Sequence, residues 1–257
     1  MLFPKKETSE VERPYSKRNP SKHQSDFGTD FGSGLQKGIP IALGYIPVAF
    51  TFGLMAVSGG ISPWIAILIS LTNLTSAGQF AGARLIITEA SLFEITLTTF
   101  VINIRYLLMS LSLSQKIIPE TAFIKRGIMS FGITDETFTV ASLEKHDISF
   151  GYMLGLISFP YGGWALGTTL GALICSVLPK ALQNSMGIAL YAMFIALIVP
   201  SAKKSRAALT ITLIAVALSS LFNWAPYLKQ ISAGWSIIIA TITACIIGAL
   251  FFPREEV

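Results

Sequence analysis

Residues 38–83 read GIPIALGYIPVAFTFGLMAVSGGISPWIAILISLTNLTSAGQFAGA and contain no charged residue in 46 positions. A helix needs about 20 apolar residues to cross the hydrocarbon core of a bilayer. The stretch is therefore long enough for two crossings, and Ser58-Gly-Gly-Ile-Ser-Pro63 supplies the turn between them. The pattern predicts an all-α, polytopic membrane protein. Further charge-free runs cover 148–179, 181–202, 207–228 and 230–253.

The composition of the whole chain favours the same class. Residues AVILMFWYC make up 52% of the 257 positions, charged residues make up 13%, and the mean hydropathy is +0.63. A soluble domain carries about 25% charged residues. Twelve of the 33 charges lie in the first 37 residues. We interpret residues 1–33 as a flexible, charged cytoplasmic tail and residues 34–253 as the transmembrane domain.

Several other function classes lack their sequence signatures. Cys175 and Cys245 lie singly in apolar runs, and His23 and His146 lie in polar segments, so no zinc-site spacing is present. The sequence also lacks a GxxxxGK[ST] motif and a HExxH motif. We expect no metal, no cofactor and no enzyme active site. The basic pI of about 9.2 is typical of membrane-flanking charges rather than of nucleic-acid binding.

Hydropathy predicts about eight spans, with seven as the alternative. The doubtful stretch is 126–143, because two acids lie at its centre and each costs about 2.5–3.5 kcal/mol to insert. Eight spans with a cytoplasmic N-terminus place twelve bases inside and five outside, whereas seven spans give nine against eight. The positive-inside rule therefore favours eight spans, with both termini cytoplasmic. The spans lie near 38–58, 63–88, 92–114, 126–143, 149–178, 184–201, 207–225 and 233–252.

The first two spans carry clusters that predict broken helices. Pro47 removes a backbone donor close to Gly44, and the second span has the polar run Thr75-Ser-Ala-Gly-Gln79 at its middle. A break at membrane depth must be buried or line a wet cavity, and the N-terminus of a half-helix attracts a carboxylate. The alternative is close helix packing through Gly78-x-x-x-Gly82. The candidate substrate-binding residues here are Gly44, Thr75, Ser76, Gly78 and Gln79.

A weak internal similarity suggests inverted repeats of three spans. Lys37-Gly-Ile39 opens the first span, and Arg126-Gly-Ile128 opens the fourth, 89 residues later. The fifth span has a further candidate break at Pro160-Tyr-Gly-Gly163. Units of three spans would have opposite orientations, as in many secondary transporters.

Ionisable residues inside spans are candidates for function. Asn103 and Arg105 lie in the third span, and Arg105 is suited to clamp a carboxylate through bidentate hydrogen bonds. Asp135 and Glu136 diverge by about 100° on a helix, so one of them can face the transport path while the other pairs with Arg105. We assign both acids to proton coupling, with a buried structural ion pair as the alternative.

Four stretches resemble the AzlC family, the large subunits of bacterial branched-chain amino acid exporters. The resemblance covers about residues 33–253, and it implies efflux of leucine, isoleucine, valine and in some members methionine across the inner membrane. It also implies a proton gradient as the driving force and a separate, small AzlD-like membrane subunit. The four stretches are Gly38-Ile-Pro40, Thr75-Ser-Ala-Gly-Gln-Phe-Ala-Gly82, Thr98-Thr-Phe-Val-Ile-Asn-Ile-Arg-Tyr-Leu-Leu-Met-Ser-Leu-Ser112 and Asp135-Glu-Thr-Phe138.

The leading hypothesis is thus a secondary transporter with a site at mid-membrane, where half-helix amides bind the substrate carboxylate and one repeat rocks against the other. The alternatives are a passive channel or facilitator and an accessory membrane subunit.

Overall fold

The computed structural model describes residues 27–175, 205–225 and 230–252, with positions 179, 195, 198, 199, 202 and 203. The predicted tail up to residue 26 and most of the predicted span at 184–201 lie outside the described residues. The helices of the described part are α1 (Phe27–Ser58), α2 (Pro63–Thr72), α3 (Ala77–Ile87), α4 (Leu92–Ser114), α5 (Phe123–Phe131), α6 (Asp135–Ser142), α7 (Phe150–Ile174), α8 (Arg206–Trp224) and α9 (Ala233–Phe251).

Helix α1 is continuous, so the predicted break at Gly44 and Pro47 is wrong. Pro47 lies on the exposed side of the helix. The Thr51 hydroxyl donates a hydrogen bond to the Pro47 carbonyl oxygen at 3.0 Å. Such side-chain donors and packing neighbours allow proline inside membrane helices. Residues 27–33, which the sequence predicts as part of the tail, form the first turns of α1.

Helices α1 and α7 run parallel with their backbones in contact. A Cβ atom at Gly38 would lie 2.7 Å from the Leu156 carbonyl oxygen, and one at Gly53 would lie 2.7 Å from the Ala172 nitrogen. Small residues allow this close approach of membrane helices. Helix α7 is likewise continuous through Pro160, so the break predicted there is also wrong. The α1–α7 pair is the tightly packed centre of the described fold.

The segment predicted as the second span enters and leaves at the same end of the molecule. We call the end of α1 near Phe27 proximal and the end near Ser58 distal. Helix α2 starts at the distal end and descends along α7, where the Ser70 hydroxyl lies 2.7 Å from that of Thr168. Helix α3 then returns, because Phe80 packs on Phe52 with ring centroids 5.3 Å apart and Ile87 contacts Gly59 at the distal end.

The segment predicted as the fourth span does the same from the proximal end. Helix α5 follows α7 inward, with Lys125 over the Phe150 ring. Helix α6 returns outward, because Glu136 contacts Tyr45 in the middle of α1, whereas Glu144, just beyond α6, pairs with Lys37. Between these half-helices, residues 132–134 are not helical.

The prediction of eight crossings is corrected by these two re-entrant segments. The half-helices have 10, 11, 9 and 8 residues, which is about 12–17 Å of helix each and half of a bilayer core of about 30 Å. The offset of 89 residues pairs the continuous α1 with the re-entrant α5–α6 segment, so the fold does not match the proposed repeat. Four of the described helices have the length and hydropathy of a membrane span: α1, α4, α8 and α9.

Helix α9 runs parallel to α4 from the distal end. The carboxylate of the buried Glu94, in the first turn of α4, accepts hydrogen bonds from the Gly234 amide at 3.0 Å and from the Ser232 hydroxyl. An acid near a helix N-terminus is stabilising, and here it caps a neighbouring helix. Gly248 in turn packs on Ile211, so α8 is antiparallel to α9. The two ends of the described chain, at residues 27 and 252, therefore both lie at the proximal end.

Candidate functional site

The tips of the two re-entrant segments meet at mid-depth around a cavity of about 440 Å³. This volume lies in the range of about 300–1,000 Å³ that is typical of small-molecule sites. The wall combines polar groups from both tips with aromatic rings and aliphatic side chains. The lining residues are Tyr45, Leu74, Ser76, Ala77, Arg105, Tyr106, Thr134, Asp135, Glu136, Thr139, Trp164, Ile198 and Thr212.

The α2–α3 tip brings a strained serine to the cavity. Ser76 precedes the first residue of α3 and has φ 47° and ψ −95°, a conformation that costs a non-glycine residue about 1–3 kcal/mol. Its hydroxyl oxygen is buried and has no hydrogen-bond partner among the described residues. Asn103 packs on the next turn, where a Cβ atom at Gly78 would lie 2.7 Å from its Nδ2 atom. The tip therefore presents an unpaired hydroxyl beside a half-helix N-terminus.

The α5–α6 tip carries its own negative charges. Thr134 is the N-cap of α6, and its side chain and that of Thr137 form a reciprocal capping box. Asp135 and Glu136 occupy the first turn, where the partial positive charge of the helix N-terminus stabilises carboxylates. The α6 dipole is thus satisfied from within, unlike that of α3.

Helix α4 links the two tips through adjacent side chains. Arg105 donates from Nη1 to Asp135 Oδ2 at 2.5 Å and from Nη2 to the Tyr106 hydroxyl at 3.2 Å. The Tyr106 hydroxyl donates to the Thr75 carbonyl oxygen at 3.2 Å. This chain of contacts joins the acidic tip to the uncharged tip. The Arg105 Nε atom is buried and has no partner among the described residues.

Glu136 faces a different neighbour. The Tyr45 hydroxyl donates to Glu136 Oε2 at 2.5 Å and is hydrogen bonded to Thr134 Oγ1 at 2.7 Å. The Tyr45 ring meets that of Trp164 edge to face, with centroids 5.3 Å apart. Helix α1 and the α6 tip are therefore connected through one buried phenol.

Gln79 lies behind the cavity wall. Its Nε2 atom donates to the Ser70 hydroxyl at 2.5 Å, and its Oε1 atom accepts from the Trp164 indole at 3.1 Å. Since Ser70 also contacts Thr168, the network is fully paired and buried. It fixes both halves of the re-entrant segment and the Trp164 ring to α7.

The structure brings most of the predicted site residues to one place. Gly44 is exposed on α1, is absent from the cavity wall and faces open space. Thr75 lies in the tip, but its hydroxyl donates to Asn73 at 2.6 Å. The predicted residues that line the cavity are Ser76, Arg105, Asp135 and Glu136, while Gly78, Gln79 and Asn103 support them.

Sequence reasoning missed Tyr45, Tyr106, Thr134 and Trp164 as cavity residues. One available signal was the run Thr134-Asp-Glu-Thr137, since Thr followed by acids is typical of a helix start. That pattern places a helix N-terminus at the very point where we drew the middle of a span. Tyr45 and Trp164 carry no comparable local signal.

Comparisons with known proteins agree with the fold class. A family model described as "AzlC protein" matches residues 40–178. "Inner membrane protein YgaZ" of Escherichia coli (strain K12) is 29% identical over 195 residues, which are 73% of this chain and 80% of that protein. An "uncharacterized membrane protein" of Archaeoglobus fulgidus is 33% identical over 199 residues, 77% of this chain and 87% of the relative.

A Helicobacter pylori membrane protein is 26% identical over 185 residues, 70% of this chain and 79% of the relative. No solved structure matches the chain. The family match spans more than half of the sequence and includes both re-entrant segments. The chain therefore belongs to the AzlC family of membrane proteins.

Proposed function

We propose that this protein is a secondary transporter that exports leucine, isoleucine, valine and related apolar amino acids such as methionine across the inner membrane in exchange for protons. The observation that carries the proposal is the cavity between two unlike half-helix N-termini. One of these bears an unpaired hydroxyl, and the other bears two carboxylates.

The charge distribution of the cavity suits a zwitterion. The α3 N-terminus and the Ser76 hydroxyl offer donors to a substrate carboxylate, and the buried, unpaired Arg105 Nε atom adds another. The acidic α6 tip, on the opposing wall, offers acceptors to an ammonium group. Leu74, Trp164 and Ile198 line the remaining space and would contact an aliphatic side chain.

The distribution of bases supports one membrane orientation. In the described chain they cluster toward the proximal end, whereas Arg84 lies on the α3 half-helix that leads to the distal end. We therefore assign the proximal end to the cytoplasm. The re-entry of α5–α6 moves the bases at 116–126 to the same side as Lys145, which strengthens the asymmetry that the sequence alone indicated. The proximal bases are Lys37, Lys116, Lys125, Arg126, Lys145 and Arg206.

A separate AzlD-like subunit is the proposed partner, on the basis of family membership. Helix α8 has no buried residue, and α4 exposes the row Leu107, Leu108 and Leu111. These apolar faces suit lipid or a second membrane chain.

The test is transport by purified protein in liposomes, with and without the small subunit, under an imposed pH gradient. Radiolabelled leucine should accumulate against its gradient, and an uncoupler should abolish this accumulation. Equilibration that is insensitive to the uncoupler would support a passive facilitator. Activity only with the second chain would support the proposed two-subunit transporter. Activity of the second chain alone would support an accessory role for this one, and transport of no apolar amino acid would refute the proposal.

A further inference from the structure

Two adjacent carboxylates in the cavity have unlike partners. Asp135 is paired with a permanent cation, because Arg105 Nη1 lies 2.5 Å from its Oδ2 atom. Glu136 projects about 100° further around α6 and meets the Tyr45 phenol instead. Among the described residues it makes no ion pair. The helix thus presents one compensated and one uncompensated carboxylate to the same space.

Among the described contacts of Arg105, none reaches Glu136. Its two terminal nitrogens contact Asp135 and the Tyr106 hydroxyl. The other groups around Glu136 carry no positive charge: Tyr45 faces it from α1 and Tyr106 from α4. The described lining residues of α3, α7 and α8 have no titratable side chain. With Glu136 ionised, the charges of the described lining residues therefore sum to −1.

An uncompensated carboxylate away from bulk water takes up a proton or a cation. The amino group of an α-amino acid is such a cation, and it competes with the proton for the same oxygen atoms. We propose that Glu136 is the one carboxyl that alternately binds the coupling proton and the substrate ammonium, that Tyr45 positions it, and that Asp135 remains paired with Arg105. The inference rests on the function proposed above and divides the roles of the two acids.

The phenol is suited to this exchange. A hydroxyl group both donates and accepts, so Tyr45 can donate to the carboxylate and accept from the carboxylic acid. The contact therefore persists in both protonation states. Because α1 packs backbone to backbone on α7, Tyr45 is held in place beside Glu136 while the proton binds and leaves. When an ammonium group arrives from the cytoplasm, the proton leaves Glu136 for water, and the reverse exchange occurs at the opposite side.

The experiment measures leucine affinity against pH for the purified full-length protein in detergent, by equilibrium binding. In the wild type the apparent Kd should rise about tenfold for each pH unit below the midpoint, since protons compete with the ligand. Leucine addition to a weakly buffered sample should release protons. E136Q should bind weakly, with a Kd that no longer depends on pH and without proton release, whereas E136D should restore both.

The matched comparison is D135N, which should bind less tightly but keep the pH dependence and the proton release. Y45F should keep binding but change the pH profile of the leucine Kd, because Glu136 loses the group that positions it. E144Q, at the proximal surface, should behave as the wild type. Melting temperature and elution volume check the fold of each variant.

The outcomes separate the two proposals. Leucine binding by the wild type with pH dependence lost in D135N and kept in E136Q would overturn the inference and leave the transporter proposal standing. A pH-independent Kd in the wild type would also overturn it. If the wild type binds no apolar amino acid, the proposed function fails and the inference fails with it.

Discussion

The two re-entrant segments share a shape and differ in charge. Each consists of two half-helices that enter and leave at one end, and each tip starts a half-helix at the cavity. The α2–α3 tip has no ionisable residue and leaves the Ser76 hydroxyl unpaired, whereas the α5–α6 tip supplies Asp135 and Glu136 to its own helix N-terminus. The same backbone device thus presents an unpaired hydroxyl at one tip and two carboxylates at the other.

The largest effect is expected from a test of re-entry, because each position can be labelled from only one side of the membrane. Eight crossings would place residue 120 opposite residue 145, whereas the fold places both at the proximal end and residue 88 at the distal end. In a background with Cys175→Ala and Cys245→Ala, Glu120→Cys and Lys145→Cys should react with an impermeant maleimide from one side and Thr88→Cys from the other. Labelling of positions 120 and 145 from opposite sides would restore the eight-span topology.

Arg105→Ala should have the next largest effect, because Arg105 bridges the tips. Removing one partner of a desolvated pair costs about 3–5 kcal/mol, and the partial exposure of both side chains, 40% and 35%, reduces this to about 2 kcal/mol. We expect the free energy of unfolding to fall by about this amount and leucine transport to fall as well, because the two tips are no longer joined. Asp135→Asn in the same chain should recover part of the loss. A double variant that is no better than Arg105→Ala would contradict a pairing role.

Ser76→Gly tests the uncharged tip alone. Glycine adopts a positive φ without strain, so the melting temperature should hold or rise while the hydroxyl donor is lost. A hydrogen bond to a charged group contributes about 1.5–3 kcal/mol, which predicts an increase of at least tenfold in the Kd for leucine. Thr75→Val is the matched control, since the Thr75 hydroxyl donates to Asn73 and Thr75 does not line the cavity. Equal effects of the two changes would remove Ser76 from the site.

The smallest effect is expected at the proximal surface. Partial burial raises the pKa of Glu144, hydrogen bonds from Lys37 and Tyr152 lower it, and the balance leaves the pKa below its ordinary value. A lowered folded-state pKa means that the contact stabilises above the unfolded-state pKa and that this stabilisation is lost as the pH falls through the folded-state pKa. Glu144→Gln should therefore cost at most about 1 kcal/mol near neutral pH and nothing in acid. Thermal melts at both pH values measure this, and equal losses would argue against the ion pair.

The sequence predicted the membrane class, a break in the second span near Thr75–Gln79, which the structure has at residues 73–76, and the grouping of Arg105 with the acids. The breaks predicted at Pro47 and Pro160 are wrong, because a local rule for proline takes no account of the close packing between α1 and α7. The sequence also missed re-entry, since a half-helix pair and one crossing have similar length and hydropathy. Tyr45 and Trp164 could not be found because their roles arise only from contacts distant in sequence.

The bare backbone contact between α1 and α7 makes the cavity sensitive to changes far from it. A methyl group added at Gly34 or Gly155 would collide with the facing main chain, and the two helices would have to separate. Tyr45 lies on α1 and Trp164 on α7. A larger side chain at Gly34 or Gly155 would therefore also separate these two rings, which are in contact near the middle of the helices. Substitutions in the α1–α7 contact should therefore change the position of the Tyr45 phenol relative to Glu136.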